Sequence, residues 1–415
     1  MTATGPSGGD GRPGPLTGVR VVELAGEWSP MAGKMLGDMG ADVILVEPPG
    51  GHSTRAYEPY LADRPGLDRS LWWWTYHTSK RGVELDWQSE DGRAHLLRLI
   101  SSSDVLLESE VPGVLEAAGF TEDSLLGMNP DLIWTSVTPF GLADPRSREP
   151  AVDLTLMSGA GPVWMCGYDD HTIPPVRGEG NQSMNVAGIH AAIASITALL
   201  ARGRHAHGQR IDVSVWAALN VATEGGTYEW LTMGSTLMRQ TGRHASAQPS
   251  MSVQLAAADG NFVTSGFPPR HLREVEALLG WLTELGWADS PEGVLLTMAR
   301  DQGGIDYARL RTDPIQSEMM GAGREALWKI AAVLPAREFF VQAQQRGLAV
   351  GVINSVETML DDAHVQARHG WTEVGDEGME EPVTYPPPPF QSEVAPYRIR
   401  ARAPGVGEHN DELLG

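Results

Sequence analysis

Residues 19–47 of this chain, VRVVELAGEWSPMAGKMLGDMGADVILVE, carry the pattern that decides its fold. Residues 19–24 and 42–47 are apolar runs rich in β-branched side chains, and each is bounded by glycine or proline. Between them, Pro30 opens a run of small and apolar residues, at the position where a helix tolerates proline, and Gly40 closes it. The stretch therefore predicts a strand, a helix and a second strand, the unit from which parallel sheets are built.

The alternation of strand and helix patterns continues as far as residue 215. The apolar runs predict strands at 82–86, 104–107, 132–137 and 209–215, with helices at 90–100 and 188–202. This order favours a parallel sheet covered by helices on both faces. The helix at 188–202 is rich in Ala and Ile, and we expect it to be fully buried. The three tryptophans at 72–74, taken as a strand, would alternate between faces and pack in a core or an interface.

The length of 415 residues predicts two domains. Residues 1–15 are rich in Gly, Pro and Ser and predict a disordered tail, not a signal peptide. From about residue 226 the composition changes, which predicts a linker followed by a second α+β unit. Residues 382–389 are rich in proline and predict an extended segment.

Composition and charge exclude several classes of protein. The formal net charge of −22 disfavours nucleic acid and anionic membranes as partners, and an anionic ligand would need a local basic site. The apolar runs look too short to cross a bilayer. One cysteine, Cys166, cannot form an internal disulfide, which favours a reducing cytoplasm. It has no base nearby in sequence, so we interpret it as structural.

Motifs for common cofactors are missing from the sequence. No Gly-x-Gly-x-x-Gly follows the first strand, there is no Walker loop, and no metal-ligand spacing occurs. His205-Ala206-His207 is interpreted as a solvated loop. Asp153 and Glu179 could each be catalytic, or could be a solvated residue or a helix cap.

Six stretches together carry a family resemblance. They are LTGVRVVEL (16–24), GADVILVEPPG (40–50), SKRGVELD (79–86), NPDLIWTSVTPFG (129–141), PPVR through GQRIDVS (174–214) and APGVGEHN (403–410). In this order they resemble the class III CoA-transferases, which include formyl-CoA and carnitine CoA transferases and α-methylacyl-CoA racemase. The resemblance implies an α/β fold, with a Rossmann-like large domain from residues 16–225 and 366–415 and a linker with a small α+β domain at 226–365. It also implies that two chains interlock as a dimer.

The family's chemistry, carried over by resemblance, needs an aspartate that attacks the donor thioester and becomes a mixed anhydride. That aspartate lies seven residues after the arginine of the PPVR stretch and four before a glycine. Counting from Arg177 and from Gly188 leads to Met184 in both cases. A thioether cannot form an anhydride, so the resemblance implies a divergent member without the catalytic carboxylate.

The resemblance also implies coenzyme A as substrate or ligand, with no covalently bound cofactor. The positions that the resemblance assigns to CoA contacts hold Glu27, Trp28, Gln88, Ser109, Glu110, Val111 and Ala117. Several of these residues differ from those usual in the family, and each such change removes a donor or a cation from a phosphate or carboxylate site. Together they imply that CoA binds differently, weakly or on a partner chain.

Three hypotheses for function follow. The chain is a CoA-transferase for an acyl-CoA and carboxylic acid pair, or the non-catalytic subunit of a heteromeric transferase whose partner carries the aspartate. The third hypothesis is a racemase-like enzyme, in which Asp153, Glu179 and His190 are the acid and base candidates. The expected partners are a CoA thioester and either a second copy or a paralogous chain, with no nucleic acid and no membrane.

Overall fold

The computed structural model of this protein describes residues 12–205, 207–266, 268–368, 370–375 and 382–415. Most of the predicted tail, residues 1–11, and Ala206 of the histidine pair lie outside the described residues. The chain divides into two compact units. One contains the chain up to Cys166, Pro175–Ser235 and Ala363–Gly415, and the other contains Gly167–Pro174 and Thr236–Asp362. The sequence had predicted the domain boundaries between residues 225 and 226 and between residues 365 and 366.

The first unit is built around a sheet of parallel strands. Its elements up to Ser235 are β1 (Arg20–Leu24), α1 (Pro30–Asp38), β2 (Asp42–Glu47), α2 (Leu71–Tyr76), β3 (Lys80–Glu84), α3 (Glu90–Ser101), β4 (Val105–Glu108), α4 (Val114–Ala117), α5 (Glu122–Met128), β5 (Ile133–Thr138), α6 (Asp153–Gly159), α7 (Gln182–His205), β6 (Gln209–Ser214), α8 (Val215–Val221) and α9 (Glu224–Met233). The strands lie in the order β3-β2-β1-β4-β5-β6. The predicted α/β class with a Rossmann-like parallel sheet is confirmed.

The sheet forms because its strands are apolar on both faces. Adjacent residues of β1, Val21 and Val22, are fully buried but belong to different core clusters, one on each face. Burial of both faces explains why these strands show continuous apolar runs and not strict alternation.

The second unit pairs short antiparallel strands with a set of helices. Its elements are β7 (Met238–Gln240), β8 (Arg243–Ser246), β9 (Gln254–Ala256), β10 (Phe262–Ser265), α10 (Leu272–Glu284), α11 (Pro291–Asp301), α12 (Pro314–Ala331), α13 (Ala336–Gln345), β11 (Val350–Val352) and α14 (Val356–Leu360). Strands β9, β10 and β11 form one sheet, and helices α10, α11, α12 and α13 contribute to its core. The unit is therefore α+β.

The C-terminal part of the chain belongs to the first unit. It contains α15 (Ala363–Ala367), β12 (Thr372–Val374), β13 (Val383–Tyr385) and α16 (Asn410–Leu413). The Ser79 N–H donates to the carbonyl of Ala401, and the His409 N–H donates to the carbonyl of Gly82, both at 2.9 Å. These bonds hold the returning chain beside the edge strand β3.

Two expectations from the sequence are wrong. The tryptophans at 72–74 lie in helix α2 and not in a strand, because Ser70 accepts the Trp73 N–H and caps a helix there. Helix α7 is not fully buried, since Ile193 is 55% and Leu200 69% exposed. Among the described residues, Gln182–Arg204 is long and apolar enough to span a membrane by length and composition alone, a test that core helices of soluble proteins also pass. Its other face packs on α1, α8 and the sheet.

Candidate active site

Two loops meet at the carboxyl ends of β1 and β4. The turn after β1 and the loop after β4 approach so closely that a methyl group on Gly26 would lie 2.0 Å from Ser109 Oγ. The Trp28 N–H points at the same hydroxyl, at 3.5 Å. The exposed Glu27 carboxylate accepts a hydrogen bond from the Tyr57 hydroxyl. The structure therefore brings Glu27, Trp28 and Ser109, three of the predicted CoA contacts, together at the edge where parallel sheets bind ligands.

A buried carboxylate stands behind the loop at residues 109–113. Glu108 is 2% exposed at the end of β4. It accepts the Glu110 N–H at 2.8 Å and the Trp134 Nε1–H at 3.3 Å, and Ser136 is also hydrogen-bonded to it. Burial, only partly offset by these donors, raises the pKa of Glu108 to about 7. The sequence analysis did not select Glu108 as a site residue. The signal that could have identified it is an acidic residue at the carboxyl end of a buried parallel strand.

Arginines from other segments reach this loop. Arg148 Nε donates to the carbonyl of Pro112 at 2.9 Å. The Arg210 guanidinium lies 3.9 Å from the centre of the Trp134 ring and pairs with Glu116 at 2.9 Å. Positive charge is thus present around the loop, although Ala117, at one of the positions that the resemblance assigns to CoA contacts, carries none.

The remaining predicted CoA contacts are more scattered. Val111 is exposed in the loop, and Ala117 is exposed at the end of α4. Gln88 is exposed in the turn between β3 and α3, where its N–H donates to Asp86 Oδ1 at 3.2 Å. Since β2 lies between β3 and β1 in the sheet, the structure does not bring Gln88 to the meeting point of the two loops through any described contact.

Met184 lies in the first turn of α7. Its side chain is 2% exposed and belongs to the core cluster that also contains Trp28. One turn further, a methyl group on Gly188 would lie 2.6 Å from Met31 Cβ, so α7 crosses α1 at close contact there. This contact explains the need for glycine and places the first turn of α7 beside the start of α1.

Asp153 acts as an external cap for α7. Its carboxylate accepts the Ser183 N–H at 2.8 Å and the Ser183 hydroxyl at 2.5 Å. Arg177 donates to its other oxygen at 2.7 Å. Both carboxylate oxygens therefore accept hydrogen bonds from neighbouring donors, in the position of a cap at the helix N-terminus. Its contacts are those of a structural carboxylate.

Glu179 and His190 do not converge with Asp153 through any described contact. Glu179 is exposed in the turn before α7, and its backbone carbonyl accepts a bond from Gln182 Nε2. His190 Nδ1 donates to the Val186 carbonyl within α7 at 2.8 Å. The described contacts do not assemble an acid and base pair facing one carbon.

A buried ion pair fixes helix α1 on the sheet. Lys80 Nζ lies 2.7 Å from Glu23 Oε2, both side chains are fully buried, and Lys80 also donates to the Pro30 carbonyl at 3.2 Å. A methyl group on Gly33 would lie 1.8 Å from the same Glu23 oxygen. Burial raises the pKa of Glu23 to about 6 and lowers the pKa of Lys80. The pair thereby positions the start of α1 and the turn that carries Glu27.

A groove on the opposite, amino-terminal edge of the sheet is a weaker candidate. It is lined by Ser101, Ser102, Ser103, Asp104, Asn129, Asp131, Arg202 and Gly203. Arg202 pairs with Asp104 at 2.8 Å and donates to the Asp131 carbonyl at 2.8 Å. Its charges thus satisfy each other, which is typical of structural contacts.

The fold and this loop pair define a parallel α/β protein with a site at the carboxyl edge of its sheet. A crystal structure of a CAIB/BAIF family protein from Brucella suis has the same fold, with a TM-score of 0.76 over 97% of this chain and 99% of that one, at 24% identity. The model of CoA-transferase family III matches residues 16–410, so the chain belongs to that family.

Curated relatives extend over almost the whole chain. Subunit BbsE of succinyl-CoA:(R)-benzylsuccinate CoA-transferase from Thauera aromatica is 29% identical over 95% of this chain and 92% of its own length. Succinyl-CoA:mesaconate CoA-transferase from Haloarcula hispanica is 27% identical over 97% and 96%. Formyl-CoA:oxalate CoA-transferase from Streptomyces avermitilis is 28% identical over 96% and 94%. The predicted class, a family III CoA-transferase-like protein, is confirmed.

Proposed function

We propose that this chain is the non-catalytic subunit of a soluble, cytoplasmic CoA-transferase that acts on an acyl-CoA and carboxylic acid pair. A paralogous partner chain supplies the carboxylate that attacks the thioester. The observation that carries the proposal is Met184: an apolar, buried side chain occupies the position to which the family resemblance assigns the nucleophile. A relative that is itself called a subunit, BbsE, supports this division of roles.

Neither Asp153 nor Glu179 makes contacts that would place its carboxylate in the position of the missing nucleophile. Asp153 is held by Ser183 and Arg177, and its lone pairs are directed at those donors. Glu179 is exposed, and it is the acidic side chain nearest in sequence to Met184 that remains available. A nucleophile that has moved to Glu179 is therefore the rival to be tested.

Acyl trapping distinguishes these two cases. We expect the purified complex, incubated with succinyl-CoA or acetyl-CoA and then hydroxylamine, to yield a hydroxamate on the partner chain. The peptides of this chain that contain Met184 and Glu179 remain unmodified in mass spectrometry, because a thioether forms no anhydride. Glu179→Gln should leave acyl exchange within about twofold of the unsubstituted complex. A hydroxamate on Glu179, lost in Glu179→Gln, would instead make this chain the catalytic one.

Exposed apolar side chains on the first unit favour a large interface with another chain. They lie on α7, α8 and α9, namely Ile189, Ile193, Leu200, Val221, Tyr228, Trp230, Leu231 and Met233. Exposed apolar side chains grouped on three successive helices are typical of surfaces that bind another protein chain. We assign the surface to the paralogous partner, because the proposed nucleophile has to come from a second chain.

Assembly is therefore expected to depend on α9. Leu231 is 74% exposed, and Leu231→Asp should weaken binding of the co-expressed partner at least a hundredfold, since an interface core does not accept an unpaired charge. Val356→Asp is the matched control, because Val356 is 70% exposed at the first turn of α14, where an acidic residue is favourable. Light scattering on the co-purified protein, over a range of concentrations, measures how strongly each of the two variants binds the partner. A stable monomer at micromolar concentration with Leu231 intact would contradict the interface.

A further inference from the structure

We propose that Arg148 is a ligand-binding residue, which holds a phosphate group of the CoA thioester beside the loop at residues 109–113. Only the identity of the ligand rests on the proposed function, in which the complex acts on an acyl-CoA. The position of the cation, which pairs with no carboxylate among the described residues, rests on the contacts of Arg148 and of the loop.

Arg148 reaches the loop from the segment between β5 and α6. Its Nε–H donates to the Pro112 carbonyl at 2.9 Å, while the residue as a whole is exposed. One of its terminal nitrogens lies so close to Gly113 that a methyl group there would be 2.8 Å away. Gly113 also has a φ of +92°, in the left-handed region that favours glycine. The loop thus has two reasons for glycine at 113, and one of them is the space that the guanidinium occupies.

The positive charge of Arg148 is not neutralised by the part of the chain that the structure describes. Its acceptor there is the Pro112 carbonyl, and no ion pair includes it. Glu116 accepts the Gly113 N–H at 3.1 Å with one oxygen, but its other oxygen is paired with Arg210 at 2.9 Å. In a chain whose formal net charge is −22, a cation without a carboxylate partner favours the binding of an anion at this place.

The remaining donors of Arg148 fit a phosphate. The bond to Pro112 uses the N–H on Nε, and a guanidinium carries further N–H groups on its two terminal nitrogens. These groups can bind two phosphate oxygens at once, a geometry for which arginine is better suited than lysine. CoA and its thioesters carry a diphosphate and a 3′-phosphate, so they provide the group that this cation would bind.

The course of the loop supports a binding role and not a role in the reaction. Its first residue, Ser109, meets the turn after β1 at Gly26 and Trp28. Arg148 contacts the loop at its other end, at residues 112 and 113. Because the phosphates of CoA lie far from its sulfur, a cation displaced from the meeting point of the loops suits a phosphate and not the reacting thioester.

Hydrogen exchange of the loop, measured during a titration of the full complex with CoA, tests this assignment. A peptide that spans residues 109–117 reports on this chain alone, so a CoA site on the partner does not enter the measured Kd. We expect CoA to protect this peptide, and Arg148→Gln to raise the Kd at least tenfold, because one charge-assisted contact is lost. Absence of protection by CoA in the unsubstituted complex would overturn the proposal. A Kd in Arg148→Gln within about twofold of the unsubstituted value would do the same.

Arg146→Gln is the matched control, because it removes the same charge from the same segment between β5 and α6. Arg146 already pairs with Asp144 at 3.3 Å, and its guanidinium lies 4.4 Å from the centre of the Phe140 ring. Its loss should therefore change the Kd less than about threefold. An equal loss of affinity in both variants would attribute the effect to the segment or to general charge, and would refute a specific contact of Arg148.

Salt and a conservative variant distinguish a phosphate contact from a structural role. Between about 50 and about 300 mM NaCl, the Kd of the unsubstituted complex should rise at least twofold more than that of Arg148→Gln, since salt screens a contact between charges. Arg148→Lys should retain this salt dependence and bind CoA more tightly than Arg148→Gln, because it keeps the charge and loses the Nε bond to Pro112. A lysine variant that behaves like the glutamine variant would show that the bond to Pro112, and not the charge, is responsible.

Dephospho-CoA identifies the phosphate concerned. An effect of Arg148→Gln that is confined to CoA assigns the 3′-phosphate, and an equal effect on both ligands assigns the diphosphate. Neither result depends on which chain carries the nucleophile. A hydroxamate on Glu179, together with the expected loss of affinity in Arg148→Gln, would refute the proposed function and retain the binding role. A hydroxamate on the partner chain, with an unchanged Kd in Arg148→Gln, would do the reverse.

Discussion

Replacement of Lys80 by methionine is expected to destabilise the first unit by about 3–5 kcal/mol, because it leaves the Glu23 carboxylate fully buried without its cation. Lys80 also donates to the first carbonyl of α1, so the loss should spread to the turn that carries Glu27. The loss in free energy of unfolding is measured by urea denaturation. Hydrogen exchange of the β1 and β2 amides, as a separate measurement, shows that the loss lies in the first unit.

The pH dependence of the Lys80→Met variant identifies the cause. Burial raises the pKa of Glu23 to about 6 even with Lys80 present, and the pKa should rise further without it. A carboxyl group whose pKa is higher in the folded than in the unfolded state loses stability as the pH rises through that range. The free energy of unfolding that Lys80→Met loses relative to the unsubstituted chain should therefore be larger at pH 8 than at pH 5.

Two control variants separate the buried pair from general effects of the substitution. Arg300→Met breaks the ion pair with Asp301, in which both side chains are exposed, 42% and 62%, and should cost less than about 1 kcal/mol. Glu23→Leu combined with Lys80→Met should recover most of the loss, since it removes both charges. A double variant as unstable as Lys80→Met alone would show that packing, and not the orphaned charge, is responsible.

The main sheet could be predicted from the sequence because its strands are buried on both faces. Residues 42–47 were predicted as a strand, and β2 has the same bounds. The tryptophans at 72–74 misled the prediction, since their aromatic character favours a strand while a local signal, the Ser70 hydroxyl as cap, determines a helix. Helix α7 was taken as fully buried because its apolar residues lie all round it. Whether such a face meets a core or another chain is not encoded in local composition.

The sequence could propose positions of the candidate site only through motifs that each lie within one segment. Trp28 and Ser109, which the resemblance assigns to CoA contacts, lie in separate segments that meet because strands β1 and β4 are neighbours in the sheet. Glu108 and Arg210 were missed, since their roles depend on the pairing of β4 and β6 with β5. The Glu23–Lys80 pair joins strands separated by β2, and no local pattern marks it.

Met184→Asp restores the family's carboxylate in the sequence but not, we expect, its function. The side chain at 184 is 2% exposed in an apolar cluster, where burial would raise the pKa of a carboxyl group by roughly three units, or about 4 kcal/mol at pH 8. The helix dipole at the first turn of α7 would offset only about 1 kcal/mol of this cost of ionisation. Stability of the variant should therefore fall as the pH rises from 5 to 8, the direction required for a raised pKa.

Met184→Asn and Met184→Leu divide this loss into its parts. Asparagine has nearly the shape of aspartate without the charge, so the difference between the two at pH 8 measures the cost of ionisation. Leucine preserves apolar volume and should cost less than about 1.5 kcal/mol. With succinyl-CoA and hydroxylamine, Met184→Asp should give at most a trace of hydroxamate at position 184, because attack needs a carboxylate aligned with the thioester. A variant that is equally stable at pH 5 and pH 8 and is acylated at position 184 would show that a carboxylate site is already formed there. In that case the loss of the aspartate would be a change of one side chain, and not a division of labour between two subunits.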